Sequence, residues 1–421
     1  MVKIVILNDA SFARGGATGL SLLQARMLAE RGYETVFAAA DDAPNEELKA
    51  CGVRLYNAGS NPLMKVPPHV AATKGMFNLA IRDMVRKVIA AEDTPDTVYH
   101  VHSWSKTLTP AVFGPLQSVA QRVFIHAHDF FLACPNGGFM DYQAMQPCTR
   151  KPLSAACLTA HCDKRNYAQK LWRVGRQLVL RSTLPRRAPW GGVLLIHPDM
   201  ATQLETAGYP ANQLVPLRNP ATPLAVDRIQ AEHNSRFLFL GRVEAEKGIE
   251  DLIAAANAAQ VELTVVGEGP LREPLAKQHR NVRFTGWLNR GEMLEHAREA
   301  RALVMPSRYP EPFGLVVAEA SLAGLPVILS DTALLGPEVE AHWLGWQCDT
   351  RDTAVFTALL QQVANLPTAE IETISKRGRS GTAGLCLTPD RWIDGILDQY
   401  ARVTPNSVLE TDDQHLGVPL G

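Results

Sequence analysis

Short apolar runs alternate with longer segments of helical periodicity along most of the chain. These runs predict strands at residues 3–8, 34–39, 97–101, 122–126, 192–196, 236–240, 261–266, 282–286, 302–305 and 326–329. Because the runs are continuously apolar, we expect parallel strands that are covered by helices on both faces of the sheet. The pattern starts again near residue 235, which predicts an α/β protein with two doubly wound, Rossmann-like domains in series.

A proline-rich segment, residues 198–235, marks the predicted boundary between the two domains. Its five prolines disfavour both helices and central strands, so we place a hinge there. The predicted N-terminal domain spans residues 1–200 and contains a basic insertion with several cysteines at 134–190. The predicted C-terminal domain spans 201–388. An amphipathic helix at 389–402 is predicted to return to the N-terminal domain, and 403–421 is predicted to be a flexible tail.

The composition is that of a globular protein, with 46% apolar and 20% charged residues. The net charge of −1 divides unevenly: residues 1–200 carry 23 Lys and Arg against 15 Asp and Glu, and the remainder carries 19 against 28. Halves of opposite charge favour two lobes and argue against a general nucleic-acid binder. No apolar run reaches the length of a membrane span, and the seven cysteines do not suggest a secreted disulfide framework, so we expect a cytoplasmic protein.

The run 237-FLFLGRVEAEKGIEDLI-253 has the pattern of a strand, a glycine turn and a helix. Arg242 and Lys247 lie in the turn, at the carboxyl end of the strand, where open α/β sheets bind their ligands. A planar guanidinium and a mobile ammonium together suit a diphosphate. An ordinary solvated turn is the alternative.

Two more glycine turns follow the next predicted strands, in the runs 264-TVVGEGP-270 and 284-FTGW-287. They place Gly267, Gly286 and Trp287 at the same edge of the sheet. The backbone there is predicted to line a pocket for a nucleotide base, although many strands end in such turns without binding anything.

The stretch 309-YPEPFGLVVAEA-320 predicts a helix over 314–323 with Pro312 in its first turn. The free N–H groups at the start of that helix are a natural seat for phosphate. Glu311 precedes the helix and is predicted to reach a sugar hydroxyl, whereas Glu319, two turns along, is predicted to bind a ribose. The alternative is that both glutamates are ordinary helix-terminus and surface charges.

Taken in order, GRVEAEKG, GEGP, EPFG and the two glutamates eight residues apart resemble the donor domain of the retaining glycosyltransferases of family 4, which have the GT-B fold. The resemblance covers roughly residues 1–400. It implies that Arg242 and Lys247 bind the donor diphosphate and that Glu311 binds the transferred sugar, all three as catalytic residues. The donor-binding residues that it implies are Gly15, Gly16, Gly267, Gly286, Trp287, Phe313, Gly314, Leu315 and Glu319.

The N-terminal half offers a glycine loop, 8-NDASFARGGATGLSLL-23, which resembles the family's loop beside the donor phosphates. A dinucleotide-binding dehydrogenase is an alternative, but the spacing G-x-G-x-x-G is missing. In 126-HAHDFF-131, the resemblance implies that His128 is a catalytic residue that hydrogen-bonds the transferred sugar. His102 is a candidate for acceptor binding. For either histidine, a purely structural role is the alternative.

Four cysteines, Cys134, Cys148, Cys157 and Cys162, fall within 29 residues. Four thiolates can form a tetrahedral structural zinc site that would hold a loop-rich insertion together. Their spacing matches no common zinc motif, so free thiols are the alternative.

Residues 150–190 contain ten Lys and Arg and a single acidic residue. Within them, 166–183 has the pattern of a basic amphipathic helix. Such a helix suits a peripheral contact with an anionic membrane or with an anionic acceptor. The alternative is a helix that packs its apolar face onto its own domain.

The predicted activity is the transfer of a sugar, with retention at the anomeric carbon, from a nucleoside diphosphate sugar to an acceptor hydroxyl, as in polysaccharide biosynthesis. Because Arg242, Lys247 and a helix N-terminus supply positive charge beside the departing diphosphate, we expect no catalytic metal and no cofactor. The alternatives are a nucleotide-sugar epimerase of GT-B fold and a non-catalytic protein that binds nucleotide sugars.

Overall fold

The computed structural model describes residues 2–13, 15–381 and 384–404. The chain folds into two compact units. The first unit consists of Met1–Pro135, Leu171–Leu217 and the segment that begins at Asp390, and the second of Asn136–Lys170 and Arg218–Pro389. Of the predicted tail, residues 405–421 lie outside the described residues.

The strands in chain order are β1 (Lys3–Asn8), β2 (Glu34–Ala39), β3 (Arg54–Asn57), β4 (Thr97–Val101), β5 (Val123–Ala127), β6 (Met140–Asp141), β7 (Gln146–Pro147), β8 (Gly192–Leu195), β9 (Leu214–Pro216), β10 (Arg236–Leu240), β11 (Leu263–Val266), β12 (Arg283–Gly286), β13 (Ala300–Met305), β14 (Val327–Ser330) and β15 (Gly345–Cys348).

The α-helices are α1 (Gly16–Glu30), α2 (Glu46–Ala50), α3 (Pro68–Met76), α4 (Leu79–Glu92), α5 (Phe113–Leu116), α6 (Ala155–Thr159), α7 (Tyr167–Thr183), α8 (Met200–Thr206), α9 (Ile249–Ala259), α10 (Arg272–Gln278), α11 (Arg290–Arg298), α12 (Leu315–Leu322), α13 (Gly336–Ala341), α14 (Thr353–Asn365), α15 (Thr368–Ser380) and α16 (Pro389–Ala401). Short 3-10 helices occur at Leu63–Lys65, Pro110–Val112, Gln117–Arg122, Ala211–Gln213, Ala231–His233 and Ala245–Lys247.

The first unit is built on a seven-stranded parallel sheet in the order β3-β2-β1-β4-β5-β8-β9. Strand β1 pairs with β2 from Lys3 opposite Glu34 and with β4 from Lys3 opposite Thr97. The central strands are buried along nearly their whole length, because helices cover both faces of the sheet. The strand order reverses between β1 and β4, and this switch point is where doubly wound folds bind ligands.

The second unit has a six-stranded parallel sheet in the order β12-β11-β10-β13-β14-β15. Here the order reverses between β10 and β13, so the loops after these two strands meet at the switch point. The strand pair β6–β7 forms a separate antiparallel sheet. Both large sheets therefore confirm the prediction of an α/β fold with two doubly wound, Rossmann-like domains.

All ten predicted strands are present, with ends that differ by at most two residues from those predicted. The sheet-edge strands β3, β9 and β15 were not predicted. These strands are partly exposed, so they lack the continuous apolar run that marks a central strand. The edge of a sheet buries less side-chain surface than its centre, and the sequence pattern weakens accordingly.

Two segments, residues 136–170 and helix α16, group with a different unit from the residues that precede them in the sequence. Residues 136–170, predicted to lie in the N-terminal domain, group with the second unit. One reason is that Lys164 forms ion pairs with Glu244 and Glu246, which follow β10. Helix α16 groups with the first unit, where Tyr400 is fully buried.

The helix predicted over 314–323 is α12, and its N-cap is Gly314 in the left-handed conformation (φ 76°). Pro312 therefore lies before the helix, not in its first turn as predicted, because the chain must turn at Gly314 before it can enter the helix. Among the described residues, no helix is long and apolar enough to cross a membrane.

Candidate functional site

Lys247 and Glu311 form the centre of the candidate site in the second unit. Lys247 follows β10 and Glu311 follows β13, so the two strands that flank the switch point bring together residues 64 positions apart. The Lys247 Nζ donates a hydrogen bond of 2.5 Å to Glu311 Oε2. Both side chains are largely buried, with 15% and 14% of their surface exposed. An ion pair this sheltered from water is far less screened than a surface pair.

Tyr309 and Ser307 complete the hydrogen bonding of the Glu311 carboxylate. The Tyr309 hydroxyl donates to Oε1 at 2.5 Å, and the Ser307 hydroxyl donates to Oε2 at 3.1 Å. Lys247 Nζ also lies 4.6 Å from the centre of the Tyr309 ring, within the range of a cation–π contact. We refer to Lys247, Ser307, Tyr309 and Glu311 as the carboxylate cluster.

The pKa values in this cluster follow from its burial and its charges. Burial by itself raises the pKa of Glu311, but Lys247 and the hydrogen bonds from Tyr309 and Ser307 outweigh it and leave the pKa below its ordinary value. Burial and the Glu311 carboxylate both raise the pKa of Tyr309. Glu311 is therefore an ionised acceptor of hydrogen bonds near neutral pH, and Tyr309 is a neutral donor.

Arg242 lies on the same loop as Lys247 but faces solvent. Its guanidinium donates to Glu244 Oε2 at 2.8 Å, and 63% of its side chain is exposed. It is still close enough to the carboxylate cluster to lower the pKa of Tyr309. Glu244 is also paired with Lys164 at 3.1 Å. Glu244 thus has two cationic partners, Arg242 and Lys164.

Glycines allow the backbone segments of this edge to approach each other closely. Gly267 has φ 142°, and a Cβ on it would lie 1.8 Å from the carbonyl oxygen of Gly241. A Cβ on Gly314 would lie 2.9 Å from the sulfur of Met305. A side chain at Gly267 would push apart the ends of β10 and β11, whereas one at Gly314 would displace the Met305 side chain and strain the left-handed backbone (φ 76°). Their glycines are thus required by the geometry of the edge.

The remaining predicted donor-binding residues of the second unit differ in how far they are buried. Phe313 is buried, whereas Leu315 at the first position of α12 is half-buried. Gly286, at φ 80°, lies against the Glu268 carboxylate, which accepts a hydrogen bond from the backbone N–H of Trp287. The Trp287 side chain is 74% exposed, so it does not pack in the core.

Glu319 has a different charged partner from the residues of the carboxylate cluster. Its nearest charged partner is Arg290, with 3.9 Å between Nη1 and Oε1, and a quarter of its side chain is exposed. Burial raises the pKa of Glu319, and Arg290 offsets only part of that effect. The carboxylate is therefore desolvated and weakly paired, which suits an acceptor of ligand hydroxyl groups.

In the first unit, the predicted glycine loop leads into α1. Gly15 is the N-cap of this helix, with φ 154°, and Gly16 is its first residue. A Cβ on Gly15 would meet no atom within 4 Å, so the glycine is required by its backbone angle and not by crowding. The loop stands at the end of β1, beside the switch point of the first sheet.

His128 and His102 belong to a group of four histidines, His100, His102, His126 and His128, which we call the histidine quartet. His100 and His102 come from β4 and the residues after it, and His126 and His128 from β5 and the residues after it. His128 Nε2 lies 2.9 Å from His102 Nδ1. Burial lowers the pKa of His128 to about 3, so the ring is neutral at physiological pH.

Of the four clustered cysteines, Cys134 belongs to the first unit and Cys148, Cys157 and Cys162 to the second. The fully buried ammonium of Lys170 lies 3.1 Å from the sulfur of Cys162 and 3.4 Å from that of Cys157. A cation held between two thiols disfavours a divalent ion at the same place. The cysteines thus do not fit the structural zinc site that the sequence suggested.

Three residues of the second unit that define the site were not predicted from the sequence: Ser307, Tyr309 and Glu244. Tyr309 could have been found, because it precedes Glu311 by two residues in the same quoted stretch. Glu244 likewise follows Arg242 by two residues in a quoted run, but only the structure shows its shared pairing with Arg242 and Lys164.

The part of the chain that contains the carboxylate cluster matches a known protein family. Residues 227–380 match the family Glycosyl transferases group 1. This segment includes Arg242, Lys247, Glu311 and Glu319. The narrower assignment to family 4 stays a prediction.

Two curated relatives illustrate the similarity. A glycogen synthase of Mycobacterium tuberculosis is 38% identical over 146 residues, which are 32% of this chain and 35% of the relative. An alpha-maltose-1-phosphate synthase of the same species is 27% identical over 209 residues, or 44% of this chain and 53% of the relative. The matched region thus spans less than two thirds of the length of either relative.

Solved structures show the same fold over nearly the whole chain. Sucrose-phosphate synthase from Thermosynechococcus elongatus has a TM-score of 0.69 at 19% identity, covering 97% of this chain and 100% of that protein. The Anabaena protein HepE, solved in complex with UDP and glucose, has a TM-score of 0.65 at 16% identity, covering 95% and 100%. These neighbours confirm the predicted fold class, the GT-B fold with two Rossmann-like domains.

Proposed function

We propose that the protein is a retaining glycosyltransferase that moves a sugar from a nucleoside diphosphate sugar to an acceptor hydroxyl. The observation that carries the proposal is the carboxylate cluster, in which Lys247 and Glu311 meet at the switch point of the second sheet. One ammonium group and one carboxylate at that point offer complementary partners to a phosphate and to a sugar hydroxyl. The family match of residues 227–380 and the names of the curated relatives support this class of reaction.

In this proposal, cationic groups bind the diphosphate of the donor, and carboxylates accept hydrogen bonds from its sugar hydroxyl groups. The diphosphate draws Arg242 away from Glu244 and accepts hydrogen bonds from Lys247 and from the free N–H groups at the start of α12. The sugar donates a hydroxyl to Glu311, and the ribose donates to Glu319. The complex of HepE with UDP and glucose supports a donor of this kind.

Glu311 acts as an anchor and not as a base, because its lowered pKa makes it a weak proton acceptor and its oxygens already accept three hydrogen bonds. The bond between the anomeric carbon and the donor phosphate breaks, and its electron pair stays with the diphosphate. The acceptor oxygen forms its bond on the same face, and its proton passes to a phosphate oxygen. Stabilising the departing diphosphate is then the main contribution of Arg242 and Lys247.

The experiment that tests the proposal is a transfer assay with a panel of nucleoside diphosphate sugars, preceded by thermal-shift screening to choose the donor. We expect Arg242→Ala and Glu311→Gln each to lower kcat by about 10²–10³-fold, the effect of removing one positioned charge-stabilising group. Activity is expected to survive EDTA. NMR of the product should show the anomeric configuration of the donor.

A matched control is Arg280→Ala, which removes an exposed arginine from the same unit and should leave kcat unchanged. Donor binding with no turnover for any acceptor would favour the non-catalytic alternative. A change at a sugar carbon of the donor without transfer would favour the epimerase. An inverted product would contradict the retaining mechanism.

We also infer a peripheral membrane contact through residues 150–190. Leu171 and Leu178 lie seven positions apart on α7, and therefore on one face, with 48% and 55% of their surface exposed. Exposed leucines on a basic helix are typical of segments that bind anionic bilayers. Leu171→Ser/Leu178→Ser should weaken sedimentation with vesicles of phosphatidylglycerol. If the unaltered protein does not bind these vesicles at low salt, the inference is wrong.

A further inference from the structure

The histidine quartet consists of two in-line pairs stacked on one another. His100 Nε2 lies 3.2 Å from His126 Nδ1, with the two rings inclined by 10°. The pair His102 and His128 repeats this arrangement at 2.9 Å and 23°. The centroids of His100 and His102, and likewise of His126 and His128, are 4.4 Å apart in stacked geometry.

This arrangement does not fit a metal site, although His100, His102 and His126 have ring nitrogens within 4.8 Å of one another. A metal ion lies close to the plane of each imidazole that binds it, and stacked rings direct their lone pairs along separate parallel planes. Within each pair, moreover, the facing nitrogens are already joined by a hydrogen bond. The quartet is therefore a hydrogen-bonded array of rings.

Gln24 of α1 is fully buried and joins both pairs through its amide. Its Oε1 lies 2.6 Å from His102 Nε2. Its Nε2 lies 2.8 Å from the Tyr400 hydroxyl, which in turn lies 2.5 Å from His100 Nδ1. One amide thus stands at the head of two hydrogen-bond chains, one that leads to His128 and one that leads to His126.

The direction of the first chain follows from what each atom is able to donate. An amide oxygen only accepts, so His102 Nε2 carries the proton. Burial lowers the pKa of His102 well below its ordinary value, so the ring is neutral and Nδ1 has no proton. His128 Nε2 must then donate to His102 Nδ1. Since His128 is also neutral, its Nδ1 is left with a free lone pair.

The second chain runs the same way. Gln24 Nε2, which can only donate, lies 2.8 Å from the Tyr400 oxygen and 3.0 Å from His100 Nδ1, so His100 Nδ1 is an acceptor without a proton. The Tyr400 hydroxyl, 2.5 Å from the same nitrogen, therefore also donates to it. His100 Nε2 then donates to His126 Nδ1, which leaves the proton of His126 on Nε2. That atom is buried with no hydrogen-bond partner among the described residues. All four rings therefore carry their proton on Nε2.

We propose that Gln24 is a positioning residue that holds His128 in the Nε2–H tautomer, with Nδ1 presented as an acceptor for a substrate hydroxyl. The proposal deepens the proposed function, on which its catalytic consequence rests. Reversing the Gln24 amide would reverse the first chain and place the His128 proton on Nδ1, converting an acceptor of sugar hydroxyls into a donor. Gln24 itself touches neither donor nor acceptor in this account.

The direct test is the tautomeric state of the unaltered protein. Long-range ¹H–¹⁵N correlation spectra of ¹⁵N-histidine-labelled protein at neutral pH distinguish a protonated from a bare ring nitrogen. The His128 signals are assigned by their loss in His128→Gln. We expect Nε2 protonated and Nδ1 bare in His128, and the same in the other three rings. A His128 ring protonated on Nδ1 overturns the proposal, whether or not the protein is a transferase.

Two variants separate a positioning role from mere support of the core. Gln24→Met keeps the volume but removes the acceptor of His102, so the tautomers of His102 and His128 should become mixed. Tyr400→Phe disturbs the same buried region through the other chain, and should leave the His128 tautomer unchanged. If Tyr400→Phe mixes the His128 tautomers as Gln24→Met does, the Gln24 amide is not what sets them.

Kinetics add a readout of the catalytic consequence. Gln24→Met should lower kcat about tenfold, the effect expected for losing one hydrogen-bonding orientation. In a His128→Ala background the same change should have no further effect, because the residue that Gln24 orients is gone. Equal losses in both backgrounds would contradict the positioning role. Nε2–H tautomers in a protein with no transferase activity would instead leave the tautomer assignment intact and refute the proposed function.

Discussion

The carboxylate cluster of the second unit and the histidine quartet of the first occupy the same kind of place, yet they are stabilised in opposite ways. Each stands at the carboxyl ends of parallel strands, beside the point where the strand order reverses. In the cluster, Glu311 is buried as an ion because Lys247 neutralises it. In the quartet, the rings are buried as neutral groups without a counter-charge, and hydrogen bonds pair most but not all of their ring nitrogens.

This difference shows two solutions to the cost of burying polar groups. A charge in a low-dielectric site needs a counter-charge, so the cluster is committed to ionised forms and suits the recognition of a charged diphosphate. An array of neutral rings needs only matched donors and acceptors, so the quartet can present a directed lone pair to an uncharged sugar.

Removing the counter-charge should break the cluster. Lys247→Met leaves the Glu311 carboxylate buried without its cation, and we expect a loss of about 3 kcal/mol in the free energy of unfolding, measured by urea titration. Lys277→Met, at an exposed position of the same unit, should change it by less than about 0.5 kcal/mol. The double variant Lys247→Met/Glu311→Gln should recover part of the loss. No recovery would mean that the charge of Glu311 was not the cause.

Acid should weaken the quartet before it weakens the cluster. The pKa of His128 is about 3 in the folded protein against an ordinary value of 6.5, so the unfolded chain binds more protons between these values. The stability that depends on the neutral ring is complete above pH 6.5 and falls as the pH decreases towards 3. Each such histidine contributes a slope of up to about 1.4 kcal/mol per pH unit.

The measurement is the free energy of unfolding between pH 7 and pH 5 for the unaltered protein and for His126→Asn. The pKa of buried His126 is also well below its ordinary value, so its removal should make the decline with falling pH shallower. His69→Asn, an exposed histidine of the same unit, serves as the control and should leave the slope unchanged. Equal slopes in all three proteins would show that the quartet is not buried in neutral form.

The carboxylate cluster should respond to acid in a lower range. Because the folded-state pKa of Glu311 is below its ordinary 4.5, the stability that its charge contributes is fully present above pH 4.5 and is lost as the pH falls through the folded-state value. The difference in unfolding free energy between the unaltered protein and Glu311→Gln should therefore be constant from pH 7 to pH 5 and decrease below that. A change already at pH 6 would assign the titration to another group.

The smallest effect on stability is expected at Glu319. Its ion pair with Arg290 is long and partly exposed, so Glu319→Gln should change the free energy of unfolding by less than about 1 kcal/mol. If this carboxylate binds the ribose, the same variant should raise KM for the donor by about tenfold while kcat changes less. A large loss of stability with an unchanged KM would make Glu319 a structural residue instead.

Most of the second unit's site could be predicted from the sequence, because its residues stand next to strands that have a clear apolar pattern. Lys247 and Glu311 each follow such a strand, and parallel strands bring their carboxyl ends to one edge. Tyr309, which the sequence analysis did not predict, lies only two residues before Glu311 in the same stretch. The sequence-based grouping failed for residues 136–170, because the ion pairs of Lys164 join them to a distant part of the chain.

The histidine quartet could be predicted only in part. The pairs 100/102 and 126/128 each follow the two-residue repeat of a strand, so their shared face is implied by the sequence once β4 and β5 are known to be neighbours. Nothing local points to Gln24 or to Tyr400, which hydrogen-bond each other across 376 positions of the chain. A hydrogen bond between residues so far apart in the chain produces no periodic pattern in the sequence.

The local pattern of the sequence predicts the two doubly wound sheets, the edge of each sheet at which its own loops meet, and the charged residues at that edge in the second unit. It could do so because strand burial and strand-end position are local properties with a regular spacing. Which charges pair, Lys247 with Glu311 and Arg290 near Glu319, and which groups face the nitrogens of His128 became known from the folded structure alone. Those outcomes depend on angstrom-scale distances between remote segments, and such distances exist only after the chain has packed.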